Sequence, residues 1–108
     1  MLARVSRLRI APERIDAILE QFRSETLARF QAEEGFCGVT VLVDRTDGAL
    51  LGVTFWERPE DLAASEAVGE EARARVASAG GAADDPVREV YEVALAVDVK
   101  PFMQAGAG

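Results

Sequence analysis

The sequence predicts an α+β domain whose strands and helices follow the order β-α-β-β-α-β. The central stretch, 35–57, is typical of two apolar strands joined by a turn at Asp47-Gly48, a strong hairpin signal. The segments before and after this hairpin show helical periodicity, and the segments near both ends of the chain show the alternation of strands. A right-handed crossover folds this order into a four-stranded antiparallel sheet with both helices on one face.

The first strand and the first helix are predicted from the N-terminal third of the chain. The strand should span 2–10, and one of its faces carries Leu2, Arg4, Ser6, Leu8 and Ile10. Pro12 suits the first turn of the helix that follows. The apolar stripe of this helix consists of Ile15, Ile18, Leu19, Phe22, Thr26 and Phe30. The helix is expected to end before Gly35, which can adopt the left-handed cap conformation.

The second helix is expected to begin at Pro59, with acidic residues in its first turn. Gly69 weakens the middle of this helix, so a break is predicted there. The last strand is predicted over 87–97, where apolar residues alternate before the pattern becomes apolar on both faces. The domain should therefore cover 1–97, and 98–108 should be a C-terminal tail.

The hairpin strands lack a polar face, which bears on assembly. In the first hairpin strand Val39, Val41 and Val43 alternate with Thr40, Leu42 and Asp44, and in the second Leu51, Val53 and Phe55 alternate with Leu50, Gly52, Thr54 and Trp56. A sheet that only its own helices cover shows one polar face. We therefore expect a homodimer in which a second copy covers the face without helices. The pattern leaves open which face the second copy covers. A charged residue in place of Val41 or Val53 tests the expectation, because it should disrupt assembly if its face is the covered one.

Composition excludes several classes of function. The net charge of −7 argues against nucleic-acid binding and against an anionic membrane surface. No apolar run approaches the ~20 residues of a membrane span, and no signal peptide is recognisable. The single cysteine, Cys37, fits a cytoplasmic protein. The chain has no histidine, which removes the commonest general base and metal ligand, so neither a metal nor a cofactor is expected.

Two local motifs resemble a known family. They are Gly35-Phe36-Cys37-Gly38, before the second strand, and Phe55-Trp56-Glu57 running into Arg58-Pro59-Glu60-Asp61-Leu62. With the element order, they resemble the antibiotic-biosynthesis-monooxygenase-like (ABM) domains of the dimeric α+β barrel superfamily. The resemblance extends to Val97. It implies a ferredoxin-like fold that dimerises through the free sheet face into an α+β barrel.

The same resemblance constrains the reaction. The superfamily includes quinol-forming oxygenases, isomerases, haem degraders and members with no known activity. The Asn, Trp and His of the haem-degrading relatives correspond roughly to Ser6, Ser65 and Arg75, none of which matches. A haem-binding histidine therefore has no counterpart, and the resemblance implies chemistry without haem.

Five residues are candidates for a pocket between the first helix and the sheet: Arg4, Ser6, Phe22, Trp56 and Tyr91. Phe22 and Trp56 would line the pocket, and Trp56 could instead be a core residue that closes the strand–helix junction. Arg4, Ser6 or Tyr91 would polarise a ligand oxygen, although Tyr91 could instead pack at a sheet edge.

Further polar residues have simpler interpretations. Glu89 is expected either to lie at a solvated strand end or to pair with Arg7 or Arg9 on the neighbouring strand, rather than to act as a base. Cys37 stands between two glycines without a cationic neighbour, so we interpret it as structural.

Two functions remain open from the sequence. One is a cofactor-independent monooxygenase or isomerase that acts on a hydrophobic, aromatic or polyketide-like small molecule. The other is a non-catalytic homodimeric module with a small or filled pocket. A pocket with a polar group that faces open space would favour the first function over the second.

Overall fold

The computed structural model describes residues 1–98, and most of the predicted tail, 99–108, lies outside the described residues. The strands are β1 (Leu2–Arg9), β2 (Phe36–Asp44), β3 (Ala49–Trp56) and β4 (Val87–Glu92). The helices are α1 (Ile15–Gln21), α2 (Leu27–Gln31), α3 (Pro59–Ala64) and α4 (Glu66–Gly80). A 3₁₀ turn, Pro12–Arg14, precedes α1, and a π turn, Phe22–Thr26, connects α1 to α2.

The four strands form one antiparallel sheet in the order β2-β3-β1-β4. This is the predicted α+β, ferredoxin-like architecture, which the structure confirms. Residues that pair across antiparallel strands share a face of the sheet. Arg4 pairs with Thr54, and Ser6 pairs with Gly52. These pairs therefore lie on the same face, and it is the face on which the helices pack.

Two apolar clusters hold the helices to the sheet. The first consists of Ile10, Ile15, Ile18 and Leu50, and the second of Phe30, Trp56 and Leu62. All of these side chains are at most 6% exposed. Burying a side chain of this size contributes roughly 1.5–3 kcal/mol each. The clusters fix both ends of the helical layer on the sheet.

The second helical region breaks at Ser65, so the prediction of a break at Gly69 was wrong. The Ser65 hydroxyl donates to the Leu62 carbonyl at 2.8 Å, and Arg4 Nη2 donates to the same carbonyl at 3.0 Å. A carbonyl held by side chains favours an interruption of the helix at this point. Gly69 lies inside α4, where it contacts the guanidinium of Arg4 instead.

The last strand is shorter than predicted, because β4 ends at Glu92 rather than at Val97. Glu92 pairs with Leu2, the first residue of β1, and the backbone N–H of Val93 donates to the Met1 carbonyl at 3.0 Å. Beyond this point β1 offers no further backbone partner. Leu95 is 84% exposed, so the apolar pattern of this segment continues without cover among residues 1–98.

The second sheet face, which we call the open face, carries Val5, Leu42, Leu51, Val53, Phe55 and Tyr91. No helix in the described part of the chain covers it. Leu42 is 53% exposed and Tyr91 is 48% exposed. Val53 lies on this face, whereas Val41 lies on the face under the helices. No helix among residues 1–98 is long and apolar enough to cross a membrane.

Candidate functional site

A cleft opens between the helices and the sheet, on the helix-covered face. It contains about 600 Å³ of space free of atoms, including its mouth to solvent. The cavity proper measures only about 70 Å³, less than the ~300–1,000 Å³ typical of small-molecule sites, so a bulky ligand has to extend into the mouth. Its apolar lining comprises Leu8, Ile18, Leu19, Phe22, Phe30, Val39, Val41, Leu50, Ala72 and Val76, with Gly52 and Gly69. Its polar lining comprises Arg4, Ser6, Thr54 and Arg73.

Arg4 is the most buried charged residue of the cleft, with 2% of its side chain exposed. Its Nη2 donates to the Leu62 carbonyl at 3.0 Å and to the Ser65 hydroxyl at 2.6 Å. Its Cζ lies 5.4 Å from the centroid of the Trp56 ring, within the range of a cation–π contact. Its Nε and Nη1 are buried and have no hydrogen-bond partner among the described residues. Such donors are costly to leave unpaired.

Glu66 neutralises part of the charge beside Arg4. Its Oε2 lies 3.4 Å from Arg4 Nη2, and Arg88 donates two hydrogen bonds to the same carboxylate. Burial acts to raise the pKa of Glu66, but the hydrogen bond from Arg88 and the charge of Arg4 outweigh it and lower the pKa. Burial also lowers the pKa of Arg4, against the opposing effect of Glu66. Arginine stays protonated over the physiological range, so Arg4 remains a cation.

Arg73 is the second cation of the cleft. It lies on α4, one turn after Gly69, and its Nη1 is 3.5 Å from the Ser6 hydroxyl. No carboxylate among residues 1–98 lies within 4.0 Å of its guanidinium. Burial lowers the pKa of Arg73, with a smaller opposing effect from Glu66. Arg73 therefore brings a largely unneutralised charge to an apolar cleft.

Two backbone features shape the cleft walls. The π turn Phe22–Thr26 interrupts the helix where Phe22 enters the lining. Such turns occur frequently at functional sites. On the sheet side, a Cβ added to Gly52 would have no atom within 4 Å. Gly52 thus leaves the floor of the cleft open where another residue would fill it.

The structure brings together three of the five predicted pocket residues. Arg4, Ser6 and Phe22 line the cleft. Trp56 is 0% exposed and lies behind Arg4, where its Nε1 donates to Thr54 Oγ1 at 2.9 Å. It has the alternative position predicted for it, in the core at the strand–helix junction. Tyr91 does not line the cleft, because its pairing with Ala3 places it on the open face.

The predicted ion pair on the open face is present. Arg7 Nε donates to Glu89 Oε1 at 2.6 Å, and this hydrogen bond lowers the pKa of the Glu89 carboxyl. Glu89 is therefore an ion-paired carboxylate on the far side of the sheet from the cleft. Cys37 is exposed and does not line the cleft.

Sequence reasoning missed Arg73, Thr54 and Gly52. Arg73 occurs within the apolar stripe of α4, beside Ala72 and Val76, and a lone arginine in such a stripe was an available signal. Gly52 was the other signal, because a lone glycine inside a strand pattern indicates a missing side chain or a close approach.

The cleft residues do not suit a haem or a metal ion. Its lining contains no histidine, cysteine, tyrosine or carboxylate, which are the usual axial or metal ligands. Among residues 1–98, no group of three or more His, Cys, Asp or Glu residues is arranged to hold a metal ion. The polar groups of the cleft are instead donors suited to a ligand oxygen.

Solved structures of similar shape cover almost the whole chain. A monooxygenase from Streptomyces coelicolor, in complex with nanaomycin D, superimposes with a TM-score of 0.72 at 14% identity, over 92% of each chain. A putative antibiotic biosynthesis monooxygenase from Nitrosomonas europaea gives 0.63 at 19% identity, over 85% of this chain and 97% of its own. The heme-degrader MhuD from Mycobacterium tuberculosis, with two hemes in its active site, gives 0.65 at 18% identity, over 91% and 100%.

The chain has the fold of the antibiotic biosynthesis monooxygenases. The ABM-like resemblance predicted from the sequence is thus confirmed for the fold. No family model matches the sequence, and no curated protein matches it. At these identities the likeness establishes the ABM fold and leaves the reaction to be argued from the cleft.

Proposed function

We propose that the protein is a cofactor-independent monooxygenase or isomerase that acts on a hydrophobic, aromatic or polyketide-like molecule in the cleft. One observation carries the proposal: an apolar cleft is lined by Arg4, whose buried Nε and Nη1 have no hydrogen-bond partner among residues 1–98. Buried donors in an apolar site favour a ligand with a polar oxygen at that point. The ABM fold and the small-molecule complex of the Streptomyces monooxygenase support it.

The chemistry follows from what the cleft supplies. Arg4 stabilises an enolate or phenolate oxygen by charge-assisted hydrogen bonds, while the apolar walls exclude water. The resulting carbanion is the electron source, and O₂ is the oxidant. In an oxygenation of this type a CH₂ group becomes a carbonyl, and the second oxygen atom leaves as water. The electrons that carbon loses are those that reduce O₂, so the protein needs no redox group of its own.

The alternative is a non-catalytic binding module, and one observation favours it. The polar lining of the cleft comprises Arg4, Ser6, Thr54 and Arg73, which are poor bases. Glu66, the carboxylate beside Arg4, is engaged by two arginines, so the ligand would have to ionise without a protein base. Binding without turnover is the expected behaviour of such a module.

We also propose that a second copy of the chain covers the open face. Single apolar residues on a surface are ordinary, but an apolar patch that extends over several strands marks an interaction site, and here it borders the Arg7–Glu89 ion pair. Leu42, Tyr91 and Val87 are about half exposed there. Leu95, 84% exposed beyond the end of β4, extends the apolar surface in the same direction along the chain. A symmetric dimer covers the same patch on both copies.

Oxygen uptake with a panel of anthrones and hydroquinones tests the enzymatic function. We expect turnover of at least one compound, and loss of that turnover when the cleft floor is filled by Gly52→Val. Compounds that bind in the cleft and are recovered unchanged, neither oxygenated nor isomerised, would instead establish the binding module. Absence of both binding and turnover would contradict both functions.

A further inference from the structure

We infer that the ligand of the cleft is a monoanion, whose carboxylate, enolate or phenolate group lies between Arg4 and Arg73 and whose apolar body lies against α1 and β2. The inference rests on the proposed function, because it assigns the ligand class of the same cleft. It adds Arg73 as a second anion-binding residue and requires the ligand to carry a net negative charge.

The two guanidinium groups stand at one end of the cleft. Arg4 and Ser6 are alternate residues on one face of β1, and Arg73 donates to the Ser6 hydroxyl. Gly69, which contacts Arg4, lies one helical turn before Arg73. Arg4 and Arg73 therefore line the same end of the cleft, one from the sheet and one from α4.

The arginine N–H groups at this end of the cleft are only partly hydrogen-bonded. Nη2 of Arg4 is bonded to the α3–α4 junction, while Nε and Nη1 have no partner in the described part of the chain. Arg73 has the single long hydrogen bond to Ser6. A carboxylate or enolate accepts several such bonds, which are stronger when both partners are charged.

The charge balance points to an anion. Glu66 pairs with Arg4 and Arg88, and Arg73 is acted on by Glu66 and more weakly by Glu70, so three cations at this end of the cleft face two carboxylates. The whole chain has a net charge of −7, so this excess is local and opposes the overall balance. A partly buried cation that lacks a close carboxylate, as Arg73 does among residues 1–98, is stabilised by an anionic ligand.

The other end of the cleft suits an apolar body. Beyond Ser6 the lining is formed by Leu8, Ile18, Leu19, Val41, Leu50 and Val76. A ligand with a charged group at one end and fused or substituted rings at the other matches this change of polarity. A neutral ligand of the same shape would leave the arginine donors unpaired.

A matched pair of fluorescent probes tests the charge requirement. Anilinonaphthalene sulfonate and phenylnaphthylamine share an aromatic body, and only the first is an anion. We expect the wild-type protein to bind the sulfonate at least about tenfold more tightly, because it alone pairs with the arginines. Trp56, the single tryptophan, lies beside Arg4 and reports binding at the same end of the cleft.

Arg73→Gln is the decisive variant, because Arg4→Gln also removes the hydrogen bonds to the α3–α4 junction and would change the cleft indirectly. Arg73→Gln should weaken the binding of the sulfonate about tenfold and leave the binding of phenylnaphthylamine unchanged. Arg75→Gln is the control, since Arg75 lies on the same helix, pairs with Glu25 at 3.1 Å outside the cleft and carries the same charge. Equal binding of the two probes, or equal effects of the two variants, would overturn the anion inference while leaving the cleft as a binding site. Binding of neither probe would contradict the proposed function itself.

Discussion

The guanidinium of Arg4 packs directly on the backbone of Gly69. A Cβ added at Gly69 would lie 2.7 Å from Nη1 and 3.0 Å from Cζ, closer than real contacts allow. Arg4 cannot easily retreat, because it is 2% exposed and its Nη2 is bonded to Leu62 and Ser65. The glycine in α4 is therefore explained by the arginine in β1, and the position of that arginine defines the polar end of the cleft.

Gly69→Ala should destabilise the fold by about 1–3 kcal/mol, as expected when a methyl group is forced into a packed site. In an exposed helix the same change would stabilise by about 1 kcal/mol, because alanine has the higher helix propensity. The sign of the effect thus depends on Arg4. Chemical denaturation of the two single variants and the double variant Arg4→Met/Gly69→Ala measures this coupling. If Gly69→Ala destabilises the Arg4→Met background as much as the wild type, the contact is not the cause.

Gly52→Val should close the cleft without harming the fold. The added side chain enters space with no atom within 4 Å, and valine favours a strand by up to about 1 kcal/mol over glycine. We expect equal or higher stability with at least a tenfold loss of phenylnaphthylamine binding, roughly 1.4 kcal/mol. Thr40→Val, on the opposite face of the sheet, is the control and should leave binding unchanged. Retained binding in Gly52→Val would place the ligand outside the cleft.

The sequence predicted the element order and the sheet well, because alternation and helical periodicity are local signals. Arg4, Ser6 and Phe22, which were predicted to share a pocket, line the cleft because each lies on a regular face of its element. The sequence could not predict that the helix breaks at Ser65, since part of the hydrogen bonding at this point comes from Arg4, which lies 61 residues from Ser65. The sequence also could not predict the face of the sheet on which Tyr91 lies. Both faces of its strand are apolar, and only the tertiary structure determines which face the helices cover.

Glu66 should make the folding stability of the protein depend on pH. Its pKa in the folded protein is below the ordinary value of 4.5, so its ion pairs stabilise the fold fully above pH 4.5 and are lost as the pH falls through the folded pKa. Glu66→Gln removes this contribution. The stability difference between wild type and variant, measured by urea denaturation, should be largest near about pH 7 and shrink towards about pH 3.

The comparison of wild type with Glu66→Gln isolates this residue. Asp16 and Glu89 also have lowered pKa values, caused by hydrogen bonds from Arg45 and Arg7, but both are present in each protein. Their contributions cancel in the difference. A difference that stays constant from neutral to acidic pH would mean that the Glu66 ion pairs do not stabilise the folded state.

Val53→Asp should dissociate the proposed homodimer. Val53 pairs with Val5 on one side and with Thr40 on the other, so it lies at the centre of the open face. A dimer through this face would bury on the order of 2,000 Å² or more, and an unpaired carboxylate at its centre is strongly unfavourable. We expect the dissociation constant to rise at least about a hundredfold, roughly 2.8 kcal/mol, as measured by sedimentation.

Two comparisons make the assembly result specific to the open face. Ala67→Asp adds the same charge on an exposed position of α4 and should leave the dimer intact. Val41→Asp, the other position considered from the sequence, would place its charge in the cleft and should impair ligand binding before assembly. Wild-type protein that sediments as a monomer at micromolar concentration would contradict the dimer directly. A folded Val53→Asp dimer would show that the copies meet through another surface, because no buried interface at this position could retain the charge.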